Sequence, residues 1–271
     1  MLRIMKGFFG AAVIAGLVAS LAMELPGLAA QAQSAADTQD QTQQSVPGGF
    51  SPDQVEGIEH IVRQYLLENP QVLVDALTAY QERQRVAEEE RKQQAVVAHR
   101  AALAEDPSTP VLGNPDGDVV IVEFFDYRCG YCRRVVRDLR DVVEKDGKVR
   151  LVMKEFPILG PASIQAARAA LASIKQGKYE VYHFALMTQP GDMSDPHLMQ
   201  VAKMVGLDVD QLKEDMESDE IEAMIRRNHA LAEALSIGGT PAFVFGDTLV
   251  PGAVDAETMR RLIAEARAKA S

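Results

Sequence analysis

The sequence has no tryptophan and only two cysteines. A closed structural zinc site takes four ligands, so the cysteines alone cannot build one. A disulfide scaffold is equally excluded. The single pair, Cys129 and Cys132, stands three positions apart, and a bridge between them would close almost no loop. Excess basic charge is also missing. Twenty-eight Lys and Arg against 39 Asp and Glu give a formal net charge of −11, which argues against nucleic acid as a partner. Beyond residue 23 no stretch is long and apolar enough to span a membrane. The five histidines, at 60, 99, 183, 197 and 229, form no HxxxH pattern and read as surface or satisfied residues. Met187, Met193, Met199 and Met204 are soft ligands in principle, but their helical context favours core packing. No cofactor and no metal is called for.

The chain opens with Arg3 and Lys6, an apolar run over residues 7–23, and Ala30-Gln31-Ala32, a small-x-small cleavage pattern. Residues 1–32 are therefore expected to be a cleaved secretory signal. The run is slightly short for an uncleaved anchor. Export implies a periplasmic, oxidising location where disulfides persist. Residues 33–49 are rich in Gln, Ser, Thr, Asp and Gly, and read as a disordered linker.

Residues 50–104 read as helices. Ser51-Pro52 supplies an N-cap and a first-position proline. Val55, Ile58, Val62 and Tyr65 recur at three and four, a heptad-like stripe. Asn69-Pro70 breaks the helix. A second helix is expected over 71–104, with Leu73, Leu77 and Tyr80 continuing the stripe before a polar stretch over 81–94. Such a surface has little to bury by itself. A short stripe needs a partner surface.

The rest of the chain is organised around the two cysteines. Residues 119–125 form an apolar, β-rich run, read as a buried strand. After Cys132, residues Val135, Val136, Leu139, Val142 and Val143 follow helical spacing. Cys129 is thus placed where a strand turns into a helix. Free N–H groups and the helix dipole there favour a thiolate, and such placement lowers a cysteine pKa to about 3.5–7.5. Cys129 is the expected nucleophile and Cys132, one turn inside, its resolving partner. A CxxC opening a helix after a strand is the thioredoxin-like redox arrangement. Arg128, Arg133 and Arg134 oppose the usual preference for acids in a first turn, so stability is not their only role.

A second strand is expected over 149–156, and helical pieces over 162–175, 179–187, 196–205, 209–216 and 220–235. A hairpin over 242–245 and 248–250 and a last helix over 255–269 follow. Gly238-Gly239-Thr240-Pro241 precedes the hairpin, and proline at a strand start marks a tight turn. Glu123 lies in an otherwise apolar strand, and a buried carboxylate must be paired or protonated. Lys154 in the next strand is a candidate partner.

The segment Glu123-Phe124-Phe125-Asp126-Tyr127 followed by Cys129-Gly130-Tyr131-Cys132 resembles the DsbA family of thiol–disulfide oxidoreductases. With Tyr65-Leu66-Leu67-Glu68-Asn69-Pro70 it is most similar to the ScsC-type (suppressor of copper sensitivity) branch. The resemblance implies an α/β fold: a thioredoxin-like domain over 105–271 with a helical insertion at about 161–237. A helical oligomerisation segment over 50–104 precedes it. It further implies that Pro241 is cis beside the CxxC, that Thr240 offers backbone groups to substrate, and that Glu123 moves protons for the resolving cysteine. Gly130 and Tyr131 would tune the redox balance, the Gly-Tyr pair being similar to DsbC-type isomerases. The implied partners are disulfide-bonded protein substrates, a membrane redox partner and further copies of the chain, with a trimer suspected. Two alternatives stay open: a monomeric DsbA-like oxidase, and a copper-binding thiol protein.

Overall fold

The computed structural model describes residues 49–270. The expected signal over 1–32, and all but the last residue of the expected linker, lie outside the described residues. The chain divides into two units, one ending at Leu67 and one beginning at Glu68.

The described part of the first unit is mainly helix α1 (Pro52–Glu68), whose last residue opens the second unit. Ser51 and Gln54 cap it reciprocally: the Ser51 N–H donates to Gln54 Oε1 at 2.9 Å and the Gln54 N–H to Ser51 Oγ at 3.4 Å, a capping box. The helix buries none of its residues. Ile58, Ile61, Val62 and Tyr65 are all exposed.

The second unit begins with α2 (Gln71–Ala98), in which only Val96 is buried. Its polar stretch is laced by pairs such as Arg85 with Glu82 and Glu89, worth a few tenths of a kcal/mol each, ~0.3–0.5. The expected single helix over 71–104 is interrupted at His99 (φ −104°, ψ 15°), and a short α3 (Arg100–Ala104) follows. The break has a tertiary reason. It seats Leu103 beside Val96 under the sheet, and it turns the Ala102 and Ala104 carbonyls toward Lys154 Nζ and Arg150 Nη1.

The remaining elements are β1 (Val111–Gly113), β2 (Val119–Phe125), α4 (Gly130–Asp146), β3 (Val149–Glu155), α5 (Pro161–Ala172) with a 3-10 turn at Ser173–Gln176, and α6 (Tyr179–Thr188). Then come α7 (Asp195–Met204), α8 (Val209–Met216), α9 (Asp219–Ala234), β4 (Ala242–Phe245), β5 (Thr248–Pro251) and α10 (Ala256–Ala270). The strands form one mixed sheet in the order β1-β3-β2-β4-β5. β2 and β3 run parallel, joined by the crossover helix α4, and the other pairs are antiparallel. This is a thioredoxin-like DsbA fold. The expected strands, hairpin and helical pieces are found within a few residues of their predicted ends. β1 was not expected. At three residues it has no readable period, and it exists as a strand because β3 offers it an edge.

The pleat sorts β2 onto two faces. Ile121 and Phe125 join Leu139, Leu151, Phe243 and the helical block in the larger core. Val122 and Phe124 join Val96, Leu103, Leu231 and Leu235 on the other face. α4 turns Cys132, Val135, Val136, Leu139, Val142 and Val143 to the first of these cores. It ends at Gly147, whose φ of 69° and N–H bond to the Val143 carbonyl make a left-handed cap. Met187 and Met193 are buried and Met199 packs against the core. Met204, expected with them, is instead 57 % exposed, because it stands on the outward face of the last turn of α7, whose inward face buries Val201 and Ala202.

Candidate active site

Cys129 is the N-cap of α4, with extended backbone (φ −73°, ψ 112°). Its carbonyl accepts the first helical bond, from the Arg133 N–H at 3.1 Å. Its sulfur accepts from the Cys132 N–H at 3.4 Å, one of the free amides of a helix start. Both residues are free thiols, and Cys129 retains 6 % exposure while Cys132 has none.

The environment drives the two thiols apart. The Cys132 thiol beside Cys129 holds the Cys129 pKa down to about 5, against burial, with help from the Thr240 hydroxyl and the Cys132 and Tyr131 amides. Cys132 is pushed far up, first by burial, then by its bond to Cys129 and the Glu123 charge. One thiol is therefore ionised at neutral pH and the other is not.

The loop before β4 completes the site. The Thr240–Pro241 peptide bond is cis, and the Cys129 sulfur lies 3.2 Å from the Thr240 carbonyl, to which it donates only when protonated. A pocket of about 180 Å³ opens beside it, lined by residues including Ile237, Gly239, Pro241 and Leu249. Gly130 is exposed and meets nothing where a Cβ would stand, so packing does not demand a glycine there. Tyr131 is 59 % exposed, with the Arg134 guanidinium 4.1 Å from its ring centroid.

Glu123 is buried, and burial together with the Cys129 charge pushes its pKa up to about 8. The expected partnership with Lys154 does not occur. Lys154 pairs in register with Phe124, while Glu123 pairs with Met153, so the pleat sends the two side chains to opposite faces. Lys154 Nζ instead donates to the Ala102 carbonyl and to Thr109 Oγ1, each at 2.9 Å. Burial lowers its pKa to about 8.

Two buried acids escaped the sequence reading. Asp126 closes the loop ahead of Cys129. Its Oδ1 accepts from the Arg128 N–H (2.7 Å) and the Ser163 hydroxyl (2.8 Å), and its Oδ2 from the Ile158 (2.8 Å) and Leu159 (3.0 Å) amides. Glu155 lies on the Glu123 face of the sheet. Its Oε1 accepts from the Tyr127 and Tyr179 phenols at 3.0 Å, and Tyr127 Oη also meets His183 Nδ1 at 3.0 Å. Burial pushes the Glu155 carboxyl well above its ordinary pKa and takes His183 down to about 3, so the imidazole is neutral at pH 7. The signal that marked Glu123, an acid in an otherwise apolar strand, was missing for Glu155, because β3 also carries Arg150 and Lys154.

With this geometry in view, the comparisons with known proteins are specific. Residues 120–264 match the DSBA-like thioredoxin domain family, and the chain belongs to the DsbA-like thiol–disulfide oxidoreductase family. In front of that domain, residues 54–87 match the copper resistance protein ScsC N-terminal domain. A thioredoxin-like oxidoreductase of Silicibacter pomeroyi is 49 % identical, covering 62 % of this chain and 98 % of its own, with a TM-score of 0.61. The thiol–disulfide exchange protein α-DsbA2 of Wolbachia pipientis is 32 % identical, covering 66 % and 97 %, at 0.62. A linker-deletion mutant of Proteus mirabilis ScsC is 27 % identical, covering 83 % and 100 %, at 0.63. The chain spans 26 % of the length of the curated relatives it first matches, Na(+)/H(+) antiporters of Mycobacterium, at 28 % identity over 162 residues.

Proposed function

We propose that the protein is an exported, periplasmic disulfide isomerase that works through Cys129 and Cys132. The carrying observation is the split between the two thiols: Cys129 ionised at a helix N-cap and Cys132 buried and protonated. The Cys129 thiolate attacks a substrate disulfide. A Cys129–substrate disulfide forms and one substrate sulfur leaves as thiolate. If a second substrate thiolate then attacks the mixed disulfide, Cys129 is released and the substrate has been rearranged without net oxidation. If Cys132 attacks instead, its proton must leave, and the substrate departs reduced. Glu123 is suited to take that proton. Forming the mixed disulfide removes the Cys129 charge, one of the two causes that hold the carboxyl protonated. Thr240 and Pro241 would dock an extended substrate strand, with Gly130 and Tyr131 at its rim.

Assembly supports the isomerase direction. Residues 50–104 serve as the assembling segment, because α1 buries none of its own apolar residues. Several sites on one assembly raise the local concentration of thiolates around a misfolded substrate. A membrane redox partner would return the cysteines to the dithiol form. The related periplasmic thioredoxin-like protein of Salmonella enterica supports the location.

One observation favours a second reading, a dithiol oxidase. A stabilised thiolate stabilises the reduced protein and so makes its disulfide more oxidising. Reactivation of scrambled ribonuclease decides between the two, run beside the Ile61→Asp/Val62→Asp full-chain variant. The isomerase reading expects reactivation by an oligomer, lost when light scattering shows the variant to be monomeric. Oxidation of reduced ribonuclease without reactivation of the scrambled form selects the oxidase.

A further inference from the structure

The active-site face carries arginines that the thiol chemistry leaves unexplained. Arg128, Arg133, Arg134 and Arg137 stand before and within the first two turns of α4, in a chain whose net charge is −11. Among the described residues none of the four has a carboxylate within ion-pair distance, whereas Arg100, Arg140, Arg226, Arg261 and Arg267 each do. Cations at a helix N-terminus oppose its dipole, so the cluster is unfavourable for the helix itself. Nor do the arginines account for the ionisation of Cys129, which follows from Cys132, Thr240 and nearby amides.

Their placement is ordered. Arg128 Nη1 donates to the Leu159 carbonyl at 2.5 Å, and Arg133 Nη2 donates to the Gln189 carbonyl. These two bonds tie the guanidiniums to the segments that follow β3 and α6. Arg134 lies on the Tyr131 ring, and Arg137 follows Arg133 at i+4, on the same helix face. Beside them stand apolar side chains that are also exposed: Tyr131 at 59 %, Leu159 at 42 % and Ile158 at 37 %. The start of α4 thus carries four arginines beside an apolar strip, in a molecule of opposite net charge. The exposed acids of the same helix, Asp138 and Asp141, follow Arg134 and Arg137 at i+4 and stand toward its middle, Asp141 sharing a groove with Arg137.

We infer that this collar selects protein substrates whose reactive cysteine is flanked by acidic residues, the carboxylates meeting Arg134 and Arg137 and a neighbouring apolar residue meeting Tyr131 and Leu159. The inference rests on the oxidoreductase reading and specifies its substrate class. The global and local fields make opposite predictions. A net charge of −11 repels an acidic peptide, while the collar attracts it.

The test uses three disulfide-linked peptides identical except for Glu, Gln or Lys on either side of the cysteine. Their exchange rates with the reduced full-length protein are measured at low and high salt. The acidic peptide is expected to react about tenfold faster than the neutral one at low ionic strength, and the ratio should collapse at ~0.5 M salt, where the Debye length is only a few ångströms. Arg134→Gln/Arg137→Gln should bring the ratio close to one. Lys213→Gln/Arg260→Gln, an equal charge change at exposed residues of α8 and α10, should keep it. An acidic peptide no faster than the neutral one, or a ratio equally reduced by both double variants, overturns the inference. Exchange with the neutral peptide reports separately on the oxidoreductase reading.

Discussion

The sulfur of Cys129 lies 3.2 Å from the carbonyl oxygen of Thr240, 111 residues further along the chain. One residue caps a helix and the other leads into a strand. The helical block between them in sequence does not intervene between them in space. The contact puts the proposed nucleophile against the backbone proposed to dock substrate. It also makes the thiol's properties measurable consequences of the fold.

Iodoacetamide should alkylate the reduced protein at Cys129 alone, with a rate that titrates at about pH 5. Mass spectrometry identifies the modified residue. Dominant labelling of Cys132, or a midpoint near the free-cysteine value of about 8.5, would reject the assignment. The same shift predicts a stability profile. The folded pKa is depressed, so the stabilisation is fully present above the unfolded-state pKa and is lost as pH falls through about 5. The reduced protein should therefore gain stability over Cys129→Ser between about pH 5 and pH 9.

Glu123 should show the opposite sign. Its folded pKa is raised to about 8, so its favourable neutral form is complete below the unfolded-state value of about 4.3 and is lost as pH rises through 8. Glu123→Gln should gain stability relative to the parent from pH 4 upward, levelling off above pH 8. Urea unfolding of both proteins across that range measures it. If the carboxyl also serves Cys132, the variant should release trapped mixed disulfides more slowly. A flat stability difference across the range would place Glu123 in solvent.

Asp126 offers a test of the loop ahead of the nucleophile. Its carboxylate accepts four hydrogen bonds, and bonds to a charged group contribute about 1.5–3 kcal/mol each in favourable cases. Asp126→Ala should cost about 2–4 kcal/mol, since it leaves the buried Ser163 hydroxyl and three part-buried amides without their partner. Ser163→Ala, which removes one donor, should cost about 1 kcal/mol. Equal, small effects in denaturant titrations would show that water replaces the carboxylate.

Tyr127 joins Glu155 to His183. Tyr127→Phe should cost about 1–3 kcal/mol, because it removes a hydrogen bond from each of two buried groups. A double-mutant cycle with Glu155→Gln should reveal a coupling of about 0.5–3 kcal/mol. Strict additivity would mean that the three groups do not act as one network.

The local elements followed from the sequence because their determinants are local. The apolar run from Val119 to Phe125, the helical spacing after Cys132 and the Ser51-Pro52 start each sit within a few residues of what they specify. The position of Cys129 at a helix N-terminus followed in the same way. Three things were decided only by tertiary structure. β1 is a strand because β3 lies beside it, which no period in three residues could announce. The second helix breaks at His99 because Leu103 and the Ala102 carbonyl have sites to reach on the sheet. Lys154 turned away from Glu123 because parallel register pairs it with Phe124, and a pleated strand sends neighbouring residues to opposite faces. That register also placed Glu155, and not Lys154, on the face of Glu123. The choice of side belongs to the pairing of two strands, and neither strand carries it alone.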